Sequence, residues 1–160
     1  MQNWRKPKLS VLFWIAAAVW CGVLFFFSGQ NGAESSALSL RVSRFVLRLF
    51  SFLPYTEDKL NPILRIIAHF GIFAVEGFLL SLAAMTSLRR RFSGGLMATL
   101  CCAFMAVANE YHQSFIDGRA CEVTDMLVDS AGALTGVLLS ALVLALAFGF
   151  ARRRKGPIQC

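Results

Sequence analysis

The sequence contains few charged residues. Only 16% of its 160 residues are charged and 57% are hydrophobic, whereas a soluble globular domain usually carries about a quarter charged residues. This composition excludes an ordinary soluble domain. The length indicates a single domain that covers residues 1–160.

Acidic residues are absent from the three segments that hold most of the basic ones. The net charge is +7, but most of the basic residues lie in short clusters beside apolar runs and do not form a basic face on a soluble fold. No nucleic-acid partner is therefore predicted. The clusters are Arg5, Lys6 and Lys8; Arg89, Arg90 and Arg91; and Arg152, Arg153, Arg154 and Lys155.

The chain also lacks the spacing patterns of common catalytic and metal sites. Its five cysteines form no Cys-x-x-Cys pair, and Ser-x-x-Lys, Gly-x-Ser-x-Gly and His-Glu-x-x-His do not occur. The sequence therefore predicts no standard nucleophile, no metal and no cofactor. A metal held by His69, Glu110 and Asp129 is the alternative, because the residue types suit a metal although no sequence spacing supports it.

Four apolar runs are each long enough to cross a membrane, which predicts an all-α polytopic protein with a compact bundle of four transmembrane helices. The first run is too long for the apolar part of a secretory signal and is interpreted as a retained helix. By the positive-inside rule the three basic clusters face the cytoplasm, so both termini are expected on the cytoplasmic side of the membrane. The predicted spans are 9–27, 63–88, 92–111 and 123–150.

The connection after the first span is predicted to contain an amphipathic helix over residues 36–53, lying in the outer interface. Arg41, Arg44 and Arg48 follow helical spacing there, with apolar residues elsewhere around the turn. These arginines either contact lipid phosphates, as snorkelling cations do, or hold a phosphate-bearing ligand.

Polar side chains suited to binding or chemistry gather near the outer ends of the spans. An ionisable residue near the bilayer centre costs at least about 2.5 kcal/mol, so such residues usually face the bundle interior or a cavity. A small-residue series, Gly132, Gly136 and Ser140, continues the face of the last two acids and predicts close packing of the fourth span on the third. The polar residues are His69, Glu110, Gln113, Arg119, Asp125 and Asp129.

Together these residues form a pattern that resembles the VanZ-like family of small bacterial membrane proteins. The matching stretches are Ser28-Gly29-Gln30, Ala68-His69-Phe70, Asn109-Glu110-Tyr111-His112-Gln113-Ser114-Phe115, Gly118-Arg119, and then Asp125, Asp129, Gly132 and Gly136. The chain departs from the family pattern at Asn109, where an Asp is common, at Asp117, where a Pro is common, at Ile66, where a Lys is frequent, and at Phe73, which is often Tyr.

The resemblance implies a cell-envelope role in the bacterial cytoplasmic membrane, related to resistance to the lipid-bearing glycopeptide teicoplanin. One hypothesis is that an outward polar pocket binds a lipid-linked or lipidated glycan or peptide head group, with membrane lipids as the surrounding partners. Arg41, Arg44, Arg48 and Arg119 would hold anionic groups, and Glu110, Gln113, Asp125 and Asp129 would accept hydrogen bonds. The alternative is a membrane-embedded hydrolase or transferase in which Glu110 works with His69. The sequence is therefore compatible with both an enzyme and a binding protein without catalytic activity.

The charge pattern predicts which cysteines a membrane-impermeant thiol reagent reaches in intact spheroplasts. Cys121 lies in an outward connection and should be labelled, whereas Cys160 follows the last basic cluster and should be protected. Variants that retain one cysteine each provide the comparison. Labelling of Cys160 before permeabilisation would contradict the topology.

Overall fold

The computed structural model describes residues 7–50, 52 and 54–154, and this part of the chain is helical without a strand. Four of its helices are long and apolar enough to cross a membrane, which confirms the predicted all-α polytopic fold. Arg5, Lys6, Lys155 and Cys160 lie outside the described residues. The helices are α1 (Pro7–Ser28), α2 (Gly32–Leu49), α3 (Glu57–Ser87), α4 (Arg91–Gln113) and α5 (Val123–Arg154), of which all but α2 are candidate spans.

Among the described helices, α3 and α5 are the most closely packed pair. A Cβ atom on Gly132 would collide with the carbonyl oxygen of Phe70, and one on Gly136 would collide with that of Ala74. Farther along, Ser140 donates a buried hydrogen bond of 2.7 Å to Ser81. The positions on both helices increase together, so α3 and α5 run parallel and touch along their small residues.

This contact corrects the expectation that the small-residue series of α5 packs on α4. Both Gly132 and Gly136 lie against α3 instead. The small residues Ala98, Cys102 and Ala106 of α4 are fully buried in the common core with Phe73 of α3. Sequence spacing identifies a packing face but does not say which helix covers it.

Helices α1 and α4 run opposite to α3 and α5. Near its start, α1 meets the end of α3, where Ser10 and Trp14 both hydrogen-bond to the hydroxyl of Ser87. The start of α4 lies against the same end of α3, because a Cβ on Gly94 would contact the backbone of Met85. Helix α1 therefore begins, and α5 ends, at the end of the bundle that carries the Arg89–Arg91 connection. The opposite end, where α1 ends and α5 begins, is called the site end below.

Helix α2 packs across the first part of α3 at the site end. The side chain of Asn31 caps it by accepting a hydrogen bond of 2.9 Å from the backbone N–H of Glu34. It ends at Leu49, where the N–H of Phe50 bonds to the carbonyl of Val46. The predicted bounds of 36–53 thus lie too late by about one turn, because the arginine spacing marks the helix face but not its cap. Residues 51 and 53 lie outside the described part.

The other predicted spans agree with the helices except at the start of α3. This helix begins at Glu57 rather than at 63, because Glu57 and Asp58 form a polar first turn that an apolar count omits. Acids in a first turn also complement the helix dipole. The start of α5 is Val123, as predicted.

The contact between α3 and α5 predicts a strong position dependence of glycine substitutions. Gly136→Ala should lower the free energy of unfolding by about 1–3 kcal/mol, because the new methyl group overlaps backbone of α3. Gly71→Ala is the matched control, since a Cβ at Gly71 meets no heavy atom within 4 Å. Denaturant unfolding in detergent micelles measures both, and an equal effect would contradict the packing.

Candidate functional site

Two polar pairs connect α3 and α5 at the site end. Arg65 Nη2 lies 3.3 Å from Asp125 Oδ2, and His69 Nδ1 lies 3.1 Å from Asp129 Oδ1. Each pair joins positions sixty residues apart, so the i, i+4 spacing on α3 meets the same spacing on α5. The parallel register of the two helices therefore positions both pairs at once.

Glu110 approaches this pairing from the end of α4, where it is fully buried. Gln113 donates a hydrogen bond of 3.1 Å to its Oε1, and the backbone N–H of Glu122 donates one of 3.2 Å to its Oε2. One ligand atom each from His69, Glu110 and Asp129 lies within 4.8 Å of the other two. These three residues are called the His-Glu-Asp cluster below.

The cluster modifies the predicted partnership of Glu110 with His69. The hydrogen bond of His69 goes to Asp129, while the two oxygens of Glu110 are held by Gln113 and Glu122. Glu110 still lies close to His69, so a shared chemical role for the two is compatible with the geometry.

Arg119 lies in the connection between α4 and α5 and bonds to neutral acceptors. Its Nη1 donates to Gln113 Oε1 at 2.9 Å and its Nε to the Gln30 carbonyl at 3.4 Å. Among the described residues no carboxylate lies within 4.0 Å of this guanidinium. Burial, and after it the nearby charge of Arg65, lower the pKa of Arg119. An arginine nevertheless remains protonated in proteins, so the site end carries a positive charge without a direct counter-ion.

The glycine before Arg119 has a structural role. Gly118 adopts a φ of 75°, which favours glycine, and a Cβ on Gly32 would collide with its carbonyl oxygen. Next to it, Gly32 N donates to the carbonyl of Asp117 at 3.0 Å. The close backbone approach therefore joins α2 to the α4–α5 connection.

A cavity of about 420 Å³ opens beside these groups, between α1, α2, α3 and α4. Its lining combines aliphatic and aromatic side chains with a smaller set of polar ones. The apolar members include Leu24, Phe27, Val42, Ile72 and Phe73, and the main polar members are Arg65, His69, Asn109, Gln113 and Arg119. A mostly apolar lining with a few convergent polar groups is typical of ligand pockets.

The site residues predicted from sequence divide into three groups. His69, Gln113 and Arg119 line the cavity. Glu110, Asp125 and Asp129 are buried or nearly so and are linked to the lining through their hydrogen bonds to Gln113, Arg65 and His69. The arginines of α2 are exposed and absent from the lining, and Arg44 pairs with Glu57 at 3.0 Å; the remaining two are Arg41 and Arg48.

Two lining residues and one residue of the His-Glu-Asp cluster carry buried polar atoms without a partner among the described residues. None of the described residues offers a hydrogen bond to Ser28 Oγ or to Asn109 Oδ1, and Asp129 Oδ2 of the cluster is in the same situation. Most buried polar atoms in folded proteins are hydrogen-bonded, so these three exceptions require an explanation. Glu76 Oε2 is a fourth such atom, but Glu76 is not part of the cavity lining.

Sequence reasoning did not select Arg65, Ser28 or Asn109 as site residues. Arg65 could have been found from its spacing, because it precedes His69 by four residues and therefore shares its helix face. Ser28 and Asn109 have no comparable spacing signal, since their importance lies in buried atoms that only the packing reveals.

Comparison with known proteins gives a match to one family. No curated protein and no solved structure matches the chain significantly. The model of the VanZ/LLP1 family matches residues 13–144, a range that contains every residue of the cavity lining and of the His-Glu-Asp cluster. Because this match covers most of the sequence, the chain belongs to the VanZ/LLP1 family.

Proposed function

We propose that this membrane protein binds the anionic head group of a lipid-linked or lipidated ligand in the cavity at its site end. In this proposal the site end faces outward from the bacterial cytoplasmic membrane, both termini are cytoplasmic, and the role belongs to the cell envelope. The observation that carries the proposal is the guanidinium of Arg119, which borders the cavity and, among the described residues, donates hydrogen bonds to two neutral acceptors.

The two cations of the lining favour an anionic ligand. Arg65 is partly neutralised by Asp125, but its side chain is 44% exposed, so donors remain for a second acceptor. Arg119 uses Nη1 and Nε within the protein and retains other N–H groups. Arginine suits phosphate and carboxylate groups because its planar fork presents paired donors.

The rest of the lining favours a ligand that is both polar and apolar. Ser28 and Asn109 contribute the buried unpartnered oxygens, which suit hydroxyl or amide donors such as those of a sugar or peptide. Leu24, Phe27 and Val42 supply apolar surface beside them. A lipid-linked head group combines an anion, hydrogen-bonding groups and a hydrocarbon chain, and it reaches the cavity from the membrane.

The His-Glu-Asp cluster favours a second candidate, a membrane-embedded hydrolase or transferase acting on the same class of ligand. His69 lines the cavity with its Nδ1 held by Asp129, which is an arrangement that orients an imidazole for proton transfer. His69→Gln separates the candidates. A binding protein would lose affinity for its ligand, whereas an enzyme would bind it and leave it unconverted.

Substitution of Arg119 tests whether its charge holds a ligand or only the fold. Arg119→Lys should fail about as badly as Arg119→Ala in a susceptibility assay with envelope-active antibiotics, because an ammonium cannot reproduce the planar fork. Loss of a charged hydrogen bond worth about 1.5–3 kcal/mol weakens ligand binding by about 10-fold or more. Membrane abundance should stay near that of the unmodified protein.

Arg48→Ala is the matched control, because Arg48 is exposed on α2 and does not line the cavity. It should leave both abundance and phenotype unchanged. Parallel loss of abundance and phenotype in Arg119→Ala, with both restored by Lys, would leave Arg119 a structural role only.

Mass spectrometry of lipid extracted from the purified protein tests the ligand class directly. An anionic lipid-linked molecule should co-purify with the unmodified chain and with Arg48→Ala and be depleted in Arg119→Ala. Bulk membrane phospholipid in equal amounts in all three samples would contradict the proposal.

A further inference from the structure

We infer that the His-Glu-Asp cluster is a binding site for one divalent transition-metal cation, with Zn²⁺ the best match to its ligands. His69, Glu110 and Asp129 supply one imidazole and two carboxylates from three different helices. Such a site goes beyond head-group binding, because a cation can occupy it whether or not a lipid is present.

The distances allow a common centre. Three atoms that lie no more than 4.8 Å apart share a point at most 4.8 Å/√3, or about 2.8 Å, from each, and zinc bonds to nitrogen and oxygen measure about 2.0–2.2 Å. Each side chain therefore has to move inward by less than about 1 Å. His69 Nδ1 and Asp129 Oδ1 lie 3.1 Å apart in their hydrogen bond, and a cation that bound both atoms would replace the proton they share; neighbouring ligands in a tetrahedral zinc site are roughly 3.3 Å apart.

Burial and charge point to the same conclusion. Glu110 and Asp129 are each 0% exposed, and two ionised carboxylates buried so close together repel each other. A divalent cation with a neutral imidazole balances two carboxylates. The second, independent observation is Asp129 Oδ2, a buried oxygen for which the described residues provide no partner.

The surroundings resemble those of a supported metal site. Gln113 and the backbone N–H of Glu122 each bond to one oxygen of Glu110 and so fix the orientation of the carboxylate. Such supporting hydrogen bonds commonly orient metal ligands and tune their affinity. Three protein ligands also leave coordination positions open, as in catalytic zinc sites, and His69 places the cluster at the edge of the cavity.

The test uses the full-length protein in detergent, stripped with a chelator and re-equilibrated with Zn²⁺. Elemental analysis should find about one zinc per chain in the unmodified protein. Asp129→Asn and Glu110→Gln should lower the affinity for zinc by at least about 100-fold, because losing a ligand costs more than losing a supporting hydrogen bond, which costs about 10–100-fold. Unchanged zinc binding in both variants would overturn the inference.

Glu76→Gln is the matched control. Glu76, on α3, also has a buried carboxyl group with an oxygen that lacks a partner among the described residues, but it lies outside the cluster. This variant should bind zinc like the unmodified protein. Equal loss in Glu76→Gln and Asp129→Asn would overturn the inference, because it would mean that any buried carboxylate supports the fold on which binding depends.

Two further measurements keep the result decisive. If a cluster variant fails to fold, Co²⁺ added to the unmodified protein still reports on the site: strong visible absorption supports a protein-bound, low-coordinate cation, and its absence overturns the inference.

Lipid analysis of the same samples separates this inference from the proposed function. An anionic lipid that co-purifies without any cation binding refutes the metal site alone, whereas stoichiometric zinc without such a lipid supports the metal site and refutes the lipid proposal.

Discussion

The backbone contact between α3 and α5 is the constraint on which the rest of the structure depends. Gly132 and Gly136 remove the side chains that would separate these helices, so carbonyl groups of Phe70 and Ala74 lie directly against α5. Once the axes are this close and parallel, polar residues at matching positions have to meet. His69 and Asp129 hydrogen-bond to each other at the position that the register of this backbone contact sets.

The polar interactions between helices differ between the two ends of the bundle. At the end with the basic connection, hydroxyl groups make neutral hydrogen bonds between described helices, as in Ser81 with Ser140 and Ser10 with Ser87. Ionisable pairs occur at the site end, where Arg65 meets Asp125. Neutral hydroxyls tie helices together inside a membrane at small desolvation cost, whereas buried charges cost several kcal/mol unless they are compensated. The ion pairs that join α3 to α5, Arg65 with Asp125 and His69 with Asp129, thus lie at the site end, whereas the buried carboxyl group of Glu76 lies farther along α3.

Hydropathy and spacing were sufficient to predict the helical fold, the four spans and most of the polar residues that meet at the site end. They were insufficient to predict which helix packs against each helix face. The small residues of α5 pack on α3 rather than on α4, and His69 bonds to Asp129 rather than to Glu110. Periodicity is a property of one helix, whereas pairing depends on how all the helices fit together. For the same reason the arginines of α2 were expected at a ligand site, although the residues of that helix that reach the cavity are its serines and aliphatic side chains.

Within the described residues, the charges at the site end are unevenly distributed. Negative charge is concentrated in the buried cluster, where Asp129 pairs with His69 and the hydrogen bonds to Glu110 come from Gln113 and the backbone of Glu122. Positive charge lies on Arg119, which bonds to an amide and a carbonyl oxygen. Separating opposite charges in this way is costly in a low-dielectric environment. A cation in the cluster and an anionic head group beside Arg119 would each reduce that cost. Each would also strengthen the binding of the other, because the cation would lie at the edge of the cavity that the anion enters. The arrangement thus favours a protein whose most stable state is the one with both ligands bound.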